Sequence, residues 1–153
     1  MPTTSTSVKD IQIDPRGYRI GAGITAIIAI VGLILGSGTA GTIIFAALTA
    51  MFIPGATVGP QATLQSFLFK KFIRPRIGAP RETESFRPPR FAQLIGLICA
   101  ILATVFGLLG VTVGFYVFAA FLLGASFLNS VFGFCLGCEI YLLLVRMRAP
   151  RAA

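Results

Sequence analysis

Cys135, Cys138 and Glu139, within Phe134-Cys135-Leu136-Gly137-Cys138-Glu139, are the residues of this 153-residue chain whose types and spacing suit chemistry. Two thiols three positions apart can close a disulfide, attack another one, or carry sulfur as a persulfide. A helix starting just after Gly133 would place both in its first turn. Unpaired N–H groups and the positive end of the helix dipole favour a thiolate there. On that reading Cys135, nearer the helix start, attacks and Cys138 resolves. Glu139 is either a proton acceptor for the pair or simply the first solvated residue of the helix, and a carboxylate so close opposes thiolate formation. The competing reading of the pair is that cysteines in an apolar chain are small space-fillers, which is how Cys99 is best read.

Composition narrows the chemistry. The chain contains no histidine, which removes imidazole as base or ligand. Three cysteines cannot complete a four-thiolate zinc site within one chain, so a metal would need a second subunit, with Cys135 and Cys138 used twice over, or carboxylate help. Gly21, Gly23, Gly32 and Gly36 follow no strand, so they suit close helix packing better than phosphate binding. No cofactor is expected. The arginine-rich centre lacks interleaved aromatics and suits anionic lipid better than nucleic acid.

The elements that must position the thiols are those of a membrane. Hydrophobic residues make up 56% of the chain and charged residues 12%, about half the charge of a soluble domain. Ile20 to Phe69 and Phe91 to Cys138 contain no charged residue, and each is far longer than the roughly 20 residues of one span. Each must fold back on itself. Spans are expected from about Arg19 to the Gly36–Gly41 turn, Thr42 to Val58, Phe91 to Leu109, and Phe115 to Phe132. The run after Arg19 is too long for a secretory signal and lacks a cleavage site, so the first span is expected to stay. After Gly59-Pro60, the residues Leu64, Phe67, Leu68 and Phe72 fall on one helical face beside Lys70, Lys71 and Arg74, the pattern of a helix in the headgroup layer.

The second half repeats the first. A shift of 74 residues matches Pro15-Arg16 with Pro89-Arg90, Ala26 with Ala100, Ala29 with Ala103, Leu35-Gly36 with Leu109-Gly110, Leu48 with Leu122, Gly59 with Gly133 and Arg74 with Arg148. Cys135 and Cys138 then face Gln61 and Leu64, so one copy alone carries the pair. The fold class expected is all-α, a polytopic bundle of four transmembrane helices in two tandem units. Each unit has two spans plus an interfacial helix, and the pseudo-twofold lies along the membrane normal. The organisation is a polar tail over 1–14, a first unit over 15–76, a Pro/Arg-rich connector over 77–88, a second unit over 89–148 carrying the cysteines, and a tail over 149–153. All 13 basic residues lie outside the two span-to-span turns. The positive-inside rule therefore places both termini and the connector in the cytoplasm, in a cytoplasmic (inner) membrane.

The string Arg74-Pro-Arg-Ile-Gly-Ala-Pro, then Glu84 and Arg87-Pro-Pro-Arg-Phe-Ala-Gln93, then Gly133-Phe-Cys-Leu-Gly-Cys138, resembles the bacterial membrane family catalogued as domain of unknown function 4395. The likeness runs from about Asp14 to Arg148. It implies an integral membrane protein often associated with thioredoxin-like and sulfurtransferase proteins, with the Cys pair carried over onto Cys135 and Cys138, and it implies no established activity.

The expected function is a membrane thiol protein exchanging electrons or sulfur with a thioredoxin-like or rhodanese-like partner in the cytosol. A non-catalytic scaffold or transporter subunit, possible also as a homo-oligomer, is the alternative. The spans contain no Asp, Glu, Lys, Arg or His to mark an ion pathway, which disfavours a proton-coupled transporter. A metal site shared between subunits is the third reading.

Overall fold

Proline, aspartate and glycine punctuation sets the helix ends. Helix α1 (Pro15–Leu35) opens with Pro at its first position and Asp14 as N-cap, the carboxylate accepting from the Arg16 backbone N–H at 3.0 Å. It closes at Gly36, whose φ of 82° lies in the region that favours glycine. The chain reverses and α2 (Thr39–Thr57) returns. Helices α5 (Arg87–Leu108) and α6 (Thr112–Phe132) repeat this hairpin around Gly110, at φ 74°. In the computed structural model, residues 12–59, 62–78, 84–85 and 87–148 are described.

Between the hairpins lie α3 (Leu64–Leu68), a π-helical turn (Phe69–Ile73) and α4 (Arg74–Ile77). Helix α7 (Leu136–Arg148) ends the described chain. Two residues of the N-terminal polar segment and two of the connector form a minimal antiparallel ladder, β1 (Gln12–Ile13) with β2 (Glu84–Ser85). The end of the segment read as a tail is thus held at the connector. Residues 1–11, 60–61, 79–83, 86 and 149–153 lie outside the described residues.

The protein is an all-helical membrane protein, and α1, α2, α5 and α6 are long and apolar enough to span a bilayer. Only 22–33% of each span is buried within the protein, so the remaining apolar surface faces lipid. Ile27, Ile34, Ile43, Val113 and Phe121 are among those outward residues. Helix α5 starts a turn earlier than the apolar run suggests, because Pro88 and Pro89 are tolerated in a first turn, where N–H groups have no intrahelical partner.

Helix α2 packs chiefly on α5, and α6 on both α1 and α5. Small residues let the backbones approach: Ala26, Ala29, Ala100 and Ala103 are all buried. Phe45 and Phe115 meet edge-to-face with centroids 5.2 Å apart. Thr49 and Thr104 each donate to a carbonyl one turn back and also meet each other at 3.4 Å.

At the basic end, Arg16 bonds Asp14 at 3.0 Å and donates to the Gly78 carbonyl, while Arg90 donates to the Ala56 carbonyl. Burial pushes the Asp14 carboxyl up, but the side-chain and backbone hydrogen bonds from Arg16 outweigh it and hold it below its ordinary 3.8. A depressed carboxylate stabilises the fold above its ordinary value and stops doing so as pH falls through the folded value. Asp14→Ala should therefore cost about 1 kcal/mol at neutral pH. The check is the midpoint of heat-induced aggregation in detergent: the gap between variant and wild type should narrow as pH drops below 3.8.

Candidate functional site

Gly133 ends α6 in a left-handed conformation (φ 67°) and turns the chain towards α7. A Cβ at Gly133 would stand 3.2 Å from the Arg19 guanidinium carbon, so the turn sits at the basic end of the bundle. Cys135 is the residue just before α7, and Cys138 is in its first turn. The two are joined as a disulfide, with Cα atoms 5.1 Å apart. The Cys138 backbone N–H donates to Cys135 Sγ at 3.3 Å, and the Glu139 N–H donates to the Cys135 carbonyl at 3.0 Å. Cys135 thus caps α7 with its sulfur, the role that a serine or aspartate oxygen ordinarily fills.

That hydrogen bond has a chemical consequence. An N–H in that position, at the positive end of a 13-residue helix, would favour a thiolate over a thiol if the bond were reduced. Both cysteines are half-buried, so the sulfurs are neither sealed in the core nor fully displayed.

Glu139 is exposed on the first turn of α7. No hydrogen bond or ion pair of its carboxylate is present among the described residues. Cys99 is 8% exposed in the core cluster between Phe52 and Ala103. Among the described residues no group of three His, Cys, Asp or Glu converges as a metal site would require.

Helix α7 is held against α5 at two points. Phe91 and Tyr141 rings lie 5.6 Å apart, and Gly137 presses onto Ala92 so closely that a Cβ there would sit 2.6 Å from Ala92 Cα. Gly137 is therefore a positioning residue for the thiol pair. Reading the sequence for thiol chemistry passed over it, although its place inside the Cys-Leu-Gly-Cys string was the available signal.

Helix α3 also departs from a simple surface helix. Leu64, Phe67, Leu68 and Phe72 are exposed, while Gln65, Ser66 and Phe69 are buried against the bundle. The apolar side meets lipid and the polar edge turns inward. Thr63 caps the helix, accepting from the Ser66 N–H at 3.2 Å, and its hydroxyl lies 3.0 Å from that of Ser66.

The inward edge of α3, the first turns of α1 and α5, Phe52 of α2, the second half of α6 and the start of α7 surround a cavity at the basic end. It offers about 90 Å³ to the centres of water-sized molecules, several times the roughly 10–15 Å³ that one water needs. Cys135 lines one wall, and Gln65 and Asn129 line others. Asn129, at the end of α6, was not singled out from sequence, because one asparagine in an apolar helix carries no periodic signal.

Fold and site together define a four-span membrane protein that presents a Cys-x-x-Cys pair at the start of a terminal helix. The profile of the family described as Domain of unknown function (DUF4395) matches residues 13–146, and the chain belongs to that family. Among curated proteins and among solved structures, no significant match was found.

Proposed function

We propose that this protein is a membrane dithiol which exchanges electrons or sulfur with a cytosolic thioredoxin-like or sulfurtransferase protein through Cys135 and Cys138. A single observation carries the reading: a disulfide at the start of α7 with the Cys138 N–H on Cys135 Sγ. A thiolate of the partner attacks Cys135 Sγ; the Cys135–Cys138 bond breaks and Cys138 leaves as a thiolate that takes up a proton. A second partner thiol then displaces Cys135, so two electrons enter the membrane protein and the partner leaves as a disulfide. Run backwards, the same steps oxidise the dithiol.

The orientation is part of the proposal. Basic residues cluster at the end carrying the thiols, and the opposite turns 36–38 and 109–111 have none, which under the positive-inside rule puts the thiols on the cytoplasmic side. A tandem origin for the two units is supported by the positions 74 apart. Ala26 with Ala100, Ala29 with Ala103 and Leu48 with Leu122 are all buried, and Gly36 and Gly110 end equivalent helices.

The test is a Cys138→Ser variant expressed in cells and quenched with acid. It should hold a mixed disulfide with a cytosolic thiol protein through Cys135, released by reductant and absent when Cys135 is also replaced. Recovery of no such adduct, with the variant folded in the membrane, would sink the proposal and leave a scaffold.

A further inference from the structure

The cavity beside Cys135 is built from both halves of the chain, and two of the residues that line it carry buried amide oxygens without a hydrogen-bond partner among the described residues. Positions 74 apart line it together: Thr25 with Cys99, Phe52 with Ser126, and Ser66 with Ile140. It therefore lies where the two halves face each other. Among the described residues the Gln65 side-chain oxygen has no hydrogen-bond partner, on a residue only 8% exposed, and the Asn129 side-chain oxygen is likewise buried and unpartnered. Leaving such an acceptor buried and unpaired costs roughly 1–3 kcal/mol, so two around one cavity mark a place for something that donates to them.

The lining also limits what enters. It contains no charged side chain, and an ion brought into such a site without a countercharge would bear a large desolvation penalty. Most of the wall is apolar, and Phe52 and Phe121 supply flat faces. Phe121 is also 56% exposed on the outer surface of α6, which puts one rim of the cavity on the lipid side. An uncharged ring with hydroxyl donors, entering from lipid, meets all of these conditions.

We infer that the cavity binds the ring of a quinone and its quinol, and that this ring exchanges two electrons with Cys135 and Cys138. The inference rests on the dithiol reading given above. In the productive direction both thiols lose their protons and one electron pair; the Cys135–Cys138 bond forms, and the quinone takes two protons and two electrons to become the quinol. The closed disulfide of this structure is the state in which the quinol is the product. The two free amide oxygens are acceptors, matching the quinol's hydroxyl donors. The same amides turned over present N–H groups to the carbonyls of the quinone, so Gln65 and Asn129 serve either redox form.

Duroquinone tests this, since its fully methylated ring has no position open to thiol addition. Reduced full-length protein in detergent is mixed anaerobically with duroquinone, with quinol formation followed by absorbance and disulfide closure by maleimide-induced gel shift. The expected result is one quinol per protein formed at a rate that saturates with duroquinone. Gln65→Leu and, on a different helix, Asn129→Leu should each raise the half-saturating concentration roughly tenfold, the effect of losing about one hydrogen bond. Diamide, a water-soluble oxidant, shows in each protein whether the thiols are competent.

A rate that rises linearly without saturation, a failure to form quinol, or wild-type behaviour in both variants would overturn the assignment. A protein that closes its disulfide with diamide and traps a thiol partner, yet ignores duroquinone, loses the cavity proposal alone. One that does neither loses the dithiol reading as well.

Discussion

A membrane-impermeant maleimide added to the reduced protein should modify Cys135 and Cys138 at least about a hundredfold faster than Cys99, because half-buried sulfurs at a helix start react and a sulfur sealed in a core does not. The reasoning has two independent parts. Access differs, since Cys99 is 8% exposed in a cluster with Ala100, Ala103 and Phe52, whereas Cys135 and Cys138 are each only partly covered. Nucleophilicity differs too: an N–H donates to Cys135 Sγ at the positive end of α7, while Cys99 sits in the middle of α5 among apolar groups. Oxidation with diamide should protect the pair and leave a single thiol, detectable only after denaturation. In intact cells labelling should be absent, appearing when the cytoplasmic face is opened. Equal rates at all three thiols would show that the start of α7 is not the accessible end of the bundle. Labelling from outside intact cells would reverse the proposed orientation.

Gly137→Ala is expected to displace the thiol pair. The added carbon would stand 2.6 Å from both Cα and Cβ of Ala92, and Ala92 Cα belongs to the backbone of α5 and cannot swing aside. Helix α7 must move away from α5, which costs about 1–3 kcal/mol on the scale of overpacked contacts and carries Cys135 and Cys138 with it. The Cys138→Ser trap should then yield several-fold less adduct when Gly137→Ala is added, at equal protein in the membrane. Two controls separate displacement from a general effect of alanine. Gly124→Ala, in α6, where an added Cβ meets nothing within 4 Å, should be neutral or slightly stabilising. Ala92→Gly, which removes the opposing methyl, should recover part of the trapping lost in Gly137→Ala. A Gly137→Ala protein with wild-type trapping would show that contact with α5 does not position the thiols.

Local sequence was enough for the spans because the signal is carried by neighbours along the chain. Uncharged runs long enough to cross twice, broken at Gly36 and Gly110, require two hairpins whatever the packing. The shift of 74 residues also matched alanines and leucines that are now found in the core, since a repeated unit repeats its buried face. Cys135 and Cys138 were legible from their spacing, and Gly133 from its place before them.

Gln65, Asn129 and Gly137 were not legible in this way. A glutamine on a short amphipathic helix reads the same whether it faces water or protein, and α3 turned Gln65 and Ser66 inward and Leu64, Phe67 and Leu68 outward. That reversal is ordinary in a bilayer, where the apolar side of a helix is satisfied by lipid and the polar side must find the protein interior or water.

Taken by itself, then, the sequence determined how many times the chain crosses, where it turns, where its positive charge gathers and which residues can do thiol chemistry, because each depends on residues close together in the chain. The tertiary structure alone decided that Phe52 and segments beginning at Gly17, Thr63, Ala92, Phe121 and Cys135 enclose one uncharged cavity. It also decided that Gln65 and Asn129, whose amide oxygens lack partners among the described residues, line that cavity together with Cys135. Those neighbours come from six separate segments, and only helix packing brings them together.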